Sequence, residues 1–220
     1  MPGLFITLEG IDGCGKTTQA GLLVEWLRRR GYHVRLTREP GGTEAGEPLR
    51  EILLSPERVI TPEAELFLYL ADRSLHVAQT VKPALAEGRV VVCERHADST
   101  LAYQGAGRGL DMELLRRLNA VAAGGLSPDL TLVLDVPPDK VRLDEARLDR
   151  LELEGRGFSA RVAEGFRTIA RQEPDRVKLV DGTGDMATVH DRVVAVVSEL
   201  LLSFAERSSG ETQADQAGRQ

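Results

Sequence analysis

Residues 10–17 read Gly10-Ile11-Asp12-Gly13-Cys14-Gly15-Lys16-Thr17, which fits the pattern Gly-x-x-x-x-Gly-Lys-Thr. A short apolar, β-prone run covers residues 4–8, and a segment with apolar residues at helical spacing follows from Thr18 to Arg30. A strand, a glycine-rich turn and a helix in this order form the phosphate-binding loop, or P-loop. Glycines let backbone N–H groups approach phosphate oxygens, and the helix N-terminus adds a partial positive charge. The stretch therefore predicts a nucleotide site.

The side chains of this loop predict how the nucleotide is held. Lys16 would reach the β- and γ-phosphates of ATP, and the Thr17 hydroxyl would bind Mg²⁺. The backbone from Gly10 to Thr18 would surround the phosphate chain. A glycine-rich turn that binds nothing is the alternative, but the strand and helix on either side favour the binding loop.

Composition limits the kind of protein that this chain can form. The 220 residues are 42% hydrophobic and 28% charged, which favours one large folded domain over a disordered chain. The net charge of −6 argues against a nucleic-acid surface, which needs a positive field. Cys14 and Cys93 have no metal-binding spacing, and we expect two free thiols in a reducing compartment.

The sequence also predicts the location of the protein. The N-terminus lacks the basic stretch and apolar segment of a signal peptide. No apolar run approaches the ~20 residues that a membrane span needs. We therefore expect a cytoplasmic protein with neither a membrane nor a nucleic acid as partner.

Strand and helix patterns alternate along the chain. Predicted strands cover residues 4–8, 33–37, 89–93, 130–134 and 177–180. Predicted helices cover 16–30, 44–54, 61–81, 111–123, 159–172 and 187–204, and Pro137-Pro138 predicts the start of a short helix. This alternation indicates an α/β fold of the P-loop type, a five-stranded parallel sheet with helices on both faces. Ligands of such sheets bind at the carboxyl ends of the strands.

Three segments outside these elements have their own interpretations. Residues 205–220 are rich in Ser, Gly, Gln, Glu and Ala, which predicts a disordered tail after a single domain over 1–204. The stretch Gly105-Ala106-Gly107-Arg108-Gly109 follows no strand and predicts a flexible turn. Arginines and acids interleave over 142–157, which fits either an exposed charged helix or a mobile lid over the transferred phosphoryl group.

Charged residues also stand at strand ends and within an apolar helix. Glu94 follows the apolar strand 89–93, where an acid orients Mg²⁺, and Arg95 beside it could hold a phosphate with two hydrogen bonds. A strand-end ion pair is the simpler alternative, and Asp135 is a rival acid. Arg73 lies in a mainly apolar helix and needs a partner. That partner could be Asp72, Glu65, or a carbonyl or phosphate of a ligand.

Several segments together resemble bacterial thymidylate kinases. They are Leu8-Glu9-Gly10 with the loop up to Thr18, residues 37–43, Ala71-Asp72-Arg73, Glu94-Arg95-His96 with Asp98-Ser99, Ala102-Tyr103-Gln104-Gly105, residues 128–136, and Leu148-Asp149-Arg150-Leu151-Glu152. The resemblance implies phosphorylation of dTMP to dTDP by ATP and Mg²⁺, and a homodimer whose interface the 61–81 helix could supply.

The resemblance also implies a role for individual residues. The implied catalytic residues are Lys16, Asp12, Arg95 and the lid candidate Arg150. ATP would contact the P-loop residues 10–18, Arg142 and Thr183, and the metal would contact Thr17 and Glu94. The implied dTMP contacts are Asp12, Arg38, Tyr69, Arg73, Arg95, Ser99, Tyr103 and Gln104. Asp12 would accept from the sugar 3′-hydroxyl, Arg38 and Arg95 would hold the dTMP phosphate, and Arg73 would donate to a thymine carbonyl.

The chain departs from the family pattern at three places. Tyr69 replaces a phenylalanine that stacks on thymine, Glu94 replaces an aspartate, and the lid before Leu148 is shorter, with fewer arginines.

Other functions compete with this interpretation. Another nucleoside monophosphate kinase of the same fold would share the P-loop. A GTPase switch would need its Asp-x-x-Gly element nearer the P-loop than Asp181-Gly182-Thr183-Gly184, and the single asparagine, Asn119, lacks the following Lys-x-Asp. A catalytically silent nucleotide-binding subunit is the third alternative.

Overall fold

A computed structural model describes residues 3–141 and 148–217, and it has the predicted α/β architecture. Five parallel strands form one sheet in the order β2-β3-β1-β4-β5. The strands are β1 (Leu4–Glu9), β2 (Val34–Arg38), β3 (Val90–Glu94), β4 (Leu130–Asp135) and β5 (Val177–Asp181). The predicted five-stranded parallel sheet is therefore confirmed, with strand ends shifted by a residue or so.

The helices of the sequence prediction are present with changed bounds. They are α1 (Lys16–Arg29), α2 (Gly46–Leu54), α3 (Pro62–His76), α4 (Lys82–Ala86), α5 (Ala97–Thr100), α6 (Met112–Ala122), α7 (Gly155–Gln172) and α8 (Met186–Ala217), with π-helical turns at Val77–Val81 and Leu101–Gly107 and a 3₁₀ turn at Glu152–Glu154. α3 begins as predicted, because Thr61 caps it through Ala64 N–H and Pro62 occupies its first turn. No helix within the described residues is long and apolar enough to cross a bilayer.

The predicted flexible turn at residues 105–109 is wrong. Residues 101–107 continue α5 as a π-helical turn, and Gly105 and Gly107 are buried in it. A Cβ at Gly107 would lie 2.6 Å from the ring of Phe158, and one at Gly105 would lie 2.3 Å from the sulfur of Met112. These glycines therefore permit close packing by α7 and α6.

Two other local predictions differ from the structure. After β4 the described chain forms a turn over residues 138–140 in place of the short helix predicted at Pro137-Pro138. α8 runs on to Ala217, into the segment predicted to be a disordered tail.

Side chains of β1 alternate between two apolar layers. Leu4, Ile6 and Leu8 join the larger cluster that includes α1, α7 and α8. Phe5 faces the other way, into a smaller cluster with Val91 and the α4 side of the sheet. Since successive strand residues point to opposite faces, this alternation gives the sheet helices on both sides.

A buried polar link runs across the sheet beneath the site. Thr7 and Thr131 hydroxyls are 2.8 Å apart, and Thr131 also donates to Asp98 at 2.9 Å. Arg176, just before β5, donates to both oxygens of Asp98 at 2.7 and 2.9 Å. Burial alone would raise the pKa of Asp98, but its bonds from Arg176 lower it. This pair therefore fixes α5 against β4 and β5.

We predict that Asp98→Asn lowers the free energy of unfolding by about 2–4 kcal/mol at pH 7, since it leaves the Arg176 guanidinium without its charged partner. Urea denaturation measures the change. Because the folded pKa lies below the ordinary value, the loss should shrink only below a pH of about 4. The exposed pair of Arg29 and Glu25 supplies the control, and Glu25→Gln should cost under about 0.5 kcal/mol. Equal costs at the two positions would contradict the prediction.

Candidate active site

Two adjoining cavities open at the carboxyl ends of β1, β2 and β3. The first, here the P-loop cavity, is lined by Asp12, Gly13, Gly15, Lys16, Thr17, Thr18, Arg38, Glu39, Arg50, Glu94 and Arg95. The second, here the inner cavity, is lined by Asp12, Glu39, Pro40, Arg50, Leu54, Tyr69, Arg73, Arg95, His96, Ser99, Thr100, Tyr103, Gln104, Asp149 and Leu151. Four residues line both cavities, so a ligand in one would face a ligand in the other.

The P-loop has the backbone conformation that its glycines permit. Gly10, Gly13 and Gly15 have φ of 134°, 72° and 96°, which L-residues rarely adopt. A Cβ at Gly10 would also lie 2.8 Å from the Leu134 carbonyl oxygen. Lys16 begins α1, and its Nζ donates to Gly10 O at 3.1 Å and Ile11 O at 2.8 Å. The ammonium group is thus folded back over the loop.

Thr17 and Glu94 bring two oxygen atoms together in this cavity, and such a contact suits a hard cation. The Thr17 hydroxyl donates to Glu94 Oε2 at 2.7 Å. Among those residues no group of three or more His, Cys, Asp or Glu could hold a metal ion. Mg²⁺ commonly takes one or two protein oxygens and completes its shell with waters and phosphates, and this pair fits that pattern.

Asp135, the rival acid of the sequence prediction, has another partner. Both of its oxygens accept from Arg167 on α7, at 2.8–3.2 Å. It lines neither the P-loop cavity nor the inner cavity. Glu94 is therefore the strand-end acid of the P-loop cavity.

Arg95 stands at the boundary of the two cavities in a strained conformation. Among the described residues, Arg95 is the one residue other than glycine that has a positive φ, which is 65°. Its guanidinium group bonds Asp12, the Tyr103 hydroxyl at 2.9 Å and Ser99 Oγ at 3.2 Å. The Tyr103 hydroxyl in turn donates to Asp12 at 2.7 Å. These bonds hold Arg95 in place and bring three predicted dTMP residues together.

Neighbouring charges determine the ionisation of Asp12 and Arg95. Burial alone would raise the pKa of Asp12, but Arg95 and Lys16 lower it below the ordinary value. Burial alone would lower the pKa of Arg95, but Asp12 and Tyr103 raise it well above the ordinary value. Asp12 is therefore a carboxylate at neutral pH, able to accept hydrogen bonds.

Arg73 pairs with Glu39, and not with either protein partner that the sequence suggested. Its Nε donates to Glu39 at 2.9 Å, and its Nη1 donates to Thr100 and Asn119 at 2.9 and 2.6 Å. Glu39 also bonds His76 and His96, at 2.8 and 2.9 Å. Burial would raise the pKa of Glu39, but His96 and Arg73 hold it well below its usual range.

Arg50 is a site residue that sequence reasoning missed. It lies on α2, lines both cavities and donates to the Pro40 carbonyl at 2.9 Å. Burial lowers the pKa of Arg50, and the positive charges of Arg38 and Arg95 lower it further. Arg50 and Arg95 thus line both cavities and Arg38 lines the P-loop cavity, an arrangement that favours an anion. In the sequence, the available signal of this role was that Arg50 lies one turn before the apolar end of a helix.

Two further residues bring the inner cavity an aromatic ring and an amide. Tyr69 on α3 lines it, and its hydroxyl has no hydrogen-bond partner among the described residues. Burial raises the pKa of Tyr69. Gln104 lines the same cavity and donates from Nε2 to Glu65 at 2.7 Å. Ser99, also in this cavity, donates to Glu9 at 2.5 Å.

Of the predicted site residues that the structure describes, Arg150 and Thr183 line neither cavity, and neither do Gly10, Ile11 and Cys14 of the P-loop. Arg150 is buried, pairs with Glu65 at 2.6 Å and donates to the Leu53 carbonyl at 2.9 Å. Thr183 bonds Asp181 at the end of β5 and is not among the described residues that line either cavity. Arg142 lies outside the described residues, as does the first part of the predicted lid.

Comparison with known proteins gives a consistent result. The family model described as Thymidylate kinase matches residues 8–193. A thymidylate kinase of Synechococcus sp. (strain JA-2-3B'a(2-13)) is 54% identical over 199 residues, covering 90% of this chain and 96% of that protein. One from Synechococcus sp. (strain JA-3-3Ab) is 52% identical over 93% of this chain and 100% of that protein. The crystal structure of thymidylate kinase from Ehrlichia chaffeensis has a TM-score of 0.75 and 37% identity, covering 90% of this chain and 99% of that one.

The carboxyl group of Glu9, which lies beneath the site, should make the free energy of unfolding depend on pH. Burial and then Asp98 raise its pKa from 4.5 to about 7. The folded state therefore binds more protons than the unfolded state between these values, and the free energy of unfolding should fall as pH rises through this window. The expected fall is on the order of 3 kcal/mol.

We predict that Glu9→Gln removes the part of this fall that Glu9 causes, as measured by urea denaturation between pH 4.5 and pH 8. The part from Asp72, whose pKa burial also raises to about 7, should remain. The amide can still accept from His96 N–H, which donates to Glu9 at 2.7 Å. Glu25→Gln on the surface should leave the pH dependence unchanged. An unaltered slope in Glu9→Gln would contradict the assignment.

Proposed function

The chain belongs to the thymidylate kinase family, and we propose that it transfers the γ-phosphoryl group of ATP to dTMP, with ATP in the P-loop cavity and dTMP in the inner cavity. The observation that carries this assignment is that Arg50 and Arg95 line both cavities, with Arg38 beside them in the P-loop cavity. A kinase of this kind must hold two phosphate groups against each other in line, which needs concentrated positive charge.

Lys16 and the loop backbone would hold the donor. Lys16 now bonds two loop carbonyls, and phosphate oxygens offer it a stronger, charge-assisted partner. Thr17 and Glu94 would hold Mg²⁺, directly or through water. When bound, Mg²⁺ neutralises charge on the β- and γ-phosphates.

The inner cavity would hold the acceptor. Arg38, Arg50 and Arg95 would share the dianionic phosphate of dTMP. The Asp12 carboxylate would accept from the 3′-hydroxyl, and the Tyr103 ring would lie beside the deoxyribose. Tyr69 would stack on thymine, with Arg73, Ser99 and Gln104 as its polar contacts. The acceptor atom is already a phosphate oxygen, so no covalent enzyme intermediate is needed.

The catalytic arginine of the lid stays a prediction. Arg150 would have to leave Glu65 and the Leu53 carbonyl to reach the transferred group, and breaking such a buried pair is costly. Arg142 and Thr183 likewise stay proposed ATP contacts. Arg95 is the guanidinium group best positioned at the cavity boundary, and we assign it to both phosphate holding and charge stabilisation.

A homodimer and a cytoplasmic location complete the proposal. Phe67 on α3 and Leu114 and Val121 on α6 are exposed apolar side chains, which supports an interface on this side of the molecule. Both cysteines are buried and unpaired, which suits a reducing compartment.

We predict that Lys16→Ala lowers kcat for dTMP-dependent ADP release by at least about 100-fold, because the transferred charge loses its main cation. The melting temperature should change little. Lys82→Ala is the control, since that lysine reaches only the Gly124 carbonyl on the surface. Near-normal turnover of Lys16→Ala would contradict the proposed mechanism, and a preference for GMP or another ribonucleotide in a substrate panel would contradict the proposed acceptor.

We predict that Tyr69→Phe leaves the KM for dTMP within about twofold of the wild-type value, since the ring is kept and the hydroxyl has no partner to lose. Steady-state kinetics test this. Tyr69→Leu, which removes the ring, should raise KM about tenfold or more. A tenfold rise in Tyr69→Phe would mean that the hydroxyl binds substrate.

A further inference from the structure

Glu65 is a fully buried carboxylate that connects three elements around the inner cavity. It lies on α3 with no exposed surface. It accepts from Gln104 Nε2 at 2.7 Å and from Arg108 at 3.1 Å, and it forms an ion pair with Arg150 at 2.6 Å. Gln104 belongs to the π-helical turn, and Arg150 stands between Asp149 and Leu151, which line the inner cavity.

The carboxylate determines which way the Gln104 amide points. A carboxylate paired with two guanidinium groups accepts hydrogen bonds and donates none. The NH₂ group of Gln104 must therefore face Glu65, and the carbonyl oxygen Oε1 is left on the other side. No described residue donates to Oε1, although Gln104 lines the inner cavity. The amide thus offers the cavity an acceptor.

Arg73 offers the complementary donor. It lies two helical turns after Glu65 on the same face of α3. Its Nε and Nη1 bond protein groups, whereas Nη2 has no hydrogen bond to a residue that the structure describes. A donor and an acceptor therefore line one cavity from neighbouring elements.

This pair matches one class of pyrimidine. Thymine and uracil offer a carbonyl acceptor at position 4 next to an N–H donor at position 3. Cytosine offers the reverse, an amino donor at position 4 and an acceptor at position 3. A base of the wrong class would leave buried polar groups of the site without hydrogen bonds. The site would therefore reject that base strongly.

We propose that Glu65 is a positioning residue for base specificity, which fixes the Gln104 amide so that the inner cavity accepts keto pyrimidines and rejects cytosine. The inference rests on the proposed function, in that the inner cavity is taken as the dTMP site. Glu65 itself does not touch the base, because Gln104 stands between them.

Glu65→Gln tests the proposal, since a glutamine can donate to Gln104 Oε1 and let the amide turn over. We expect dTMP to bind about tenfold more weakly by calorimetry, while dCMP binds no more weakly than to the wild type. At saturating dTMP, kcat should stay within about threefold of the wild-type value. An equal loss of affinity for both nucleotides would show a merely structural role and overturn the proposal.

Arg108→Gln is the matched control, because it removes a partner of Glu65 without touching Gln104. It should leave the ratio of dTMP to dCMP affinity unchanged. In a Gln104→Leu background, Glu65→Gln should produce no further change in that ratio. A further change there would mean that Glu65 acts by another route, and would overturn the proposal.

Failure of the proposed function and failure of the role of Glu65 give different experimental results. Failure of the wild type to phosphorylate dTMP would end the proposed function itself, whereas unchanged discrimination in an active Glu65→Gln enzyme ends only the inference. If Glu65→Gln does not fold, the side-chain NH₂ resonance of Gln104 in the ¹⁵N-labelled wild type decides. It should keep its chemical shift when dTMP binds, and a large shift would place that NH₂ group on the ligand and overturn the proposal.

Discussion

The parallel pairing of β1 with β3 is the constraint on which the site depends. Leu8 lies opposite Glu94 in the register, so the P-loop leaves one strand beside the acid and arginine that end the next. Thr17 can then reach Glu94, and Arg95 can reach Asp12. A shift of one residue in this register would turn the side chains of β3 to opposite faces of the sheet and separate these partners. The chemistry of the site is thus fixed first by backbone hydrogen bonds.

Charge is distributed unevenly around that edge. Glu39 is matched by Arg73 and two histidines, Glu65 by Arg108 and Arg150, and Asp98 by Arg176, all in buried or nearly buried positions. Such buried ion pairs fix the positions of helices and strands more than they stabilise the fold. The reason is that desolvation of the two charges offsets much of their mutual attraction. The P-loop cavity has the opposite character, since its four positive side chains outnumber its three acidic ones. The molecule as a whole is acidic, with a net charge of −6, yet its site is locally positive.

Sequence reasoning predicted which residues line the two cavities better than it predicted their partners. The P-loop, Glu94, Arg95 and Tyr103 could be identified because each stands in a local pattern or in a segment of recognisable family sequence. Arg73 was correctly expected to need a partner, but Glu39 is 34 residues away along the chain, and no local pattern predicts that contact. Arg50 was missed for the same reason, as its role arises only where α2 packs over the meeting point of two cavities.

The sequence by itself determined the alternation of strands and helices, the phosphate-binding loop and the kinase family, because these depend on periodicity, glycine conformations and short motifs. Tertiary structure alone decided the strand order, the burial of Gly105 and Gly107 under α6 and α7, and the pairing of Arg150 with Glu65. Those features depend on which side chains meet across the fold, and long-range packing and desolvation govern such meetings. A charged residue in a lid-like segment has the same local sequence whether it faces solvent, a phosphate or a buried carboxylate, and only the folded chain distinguishes the three.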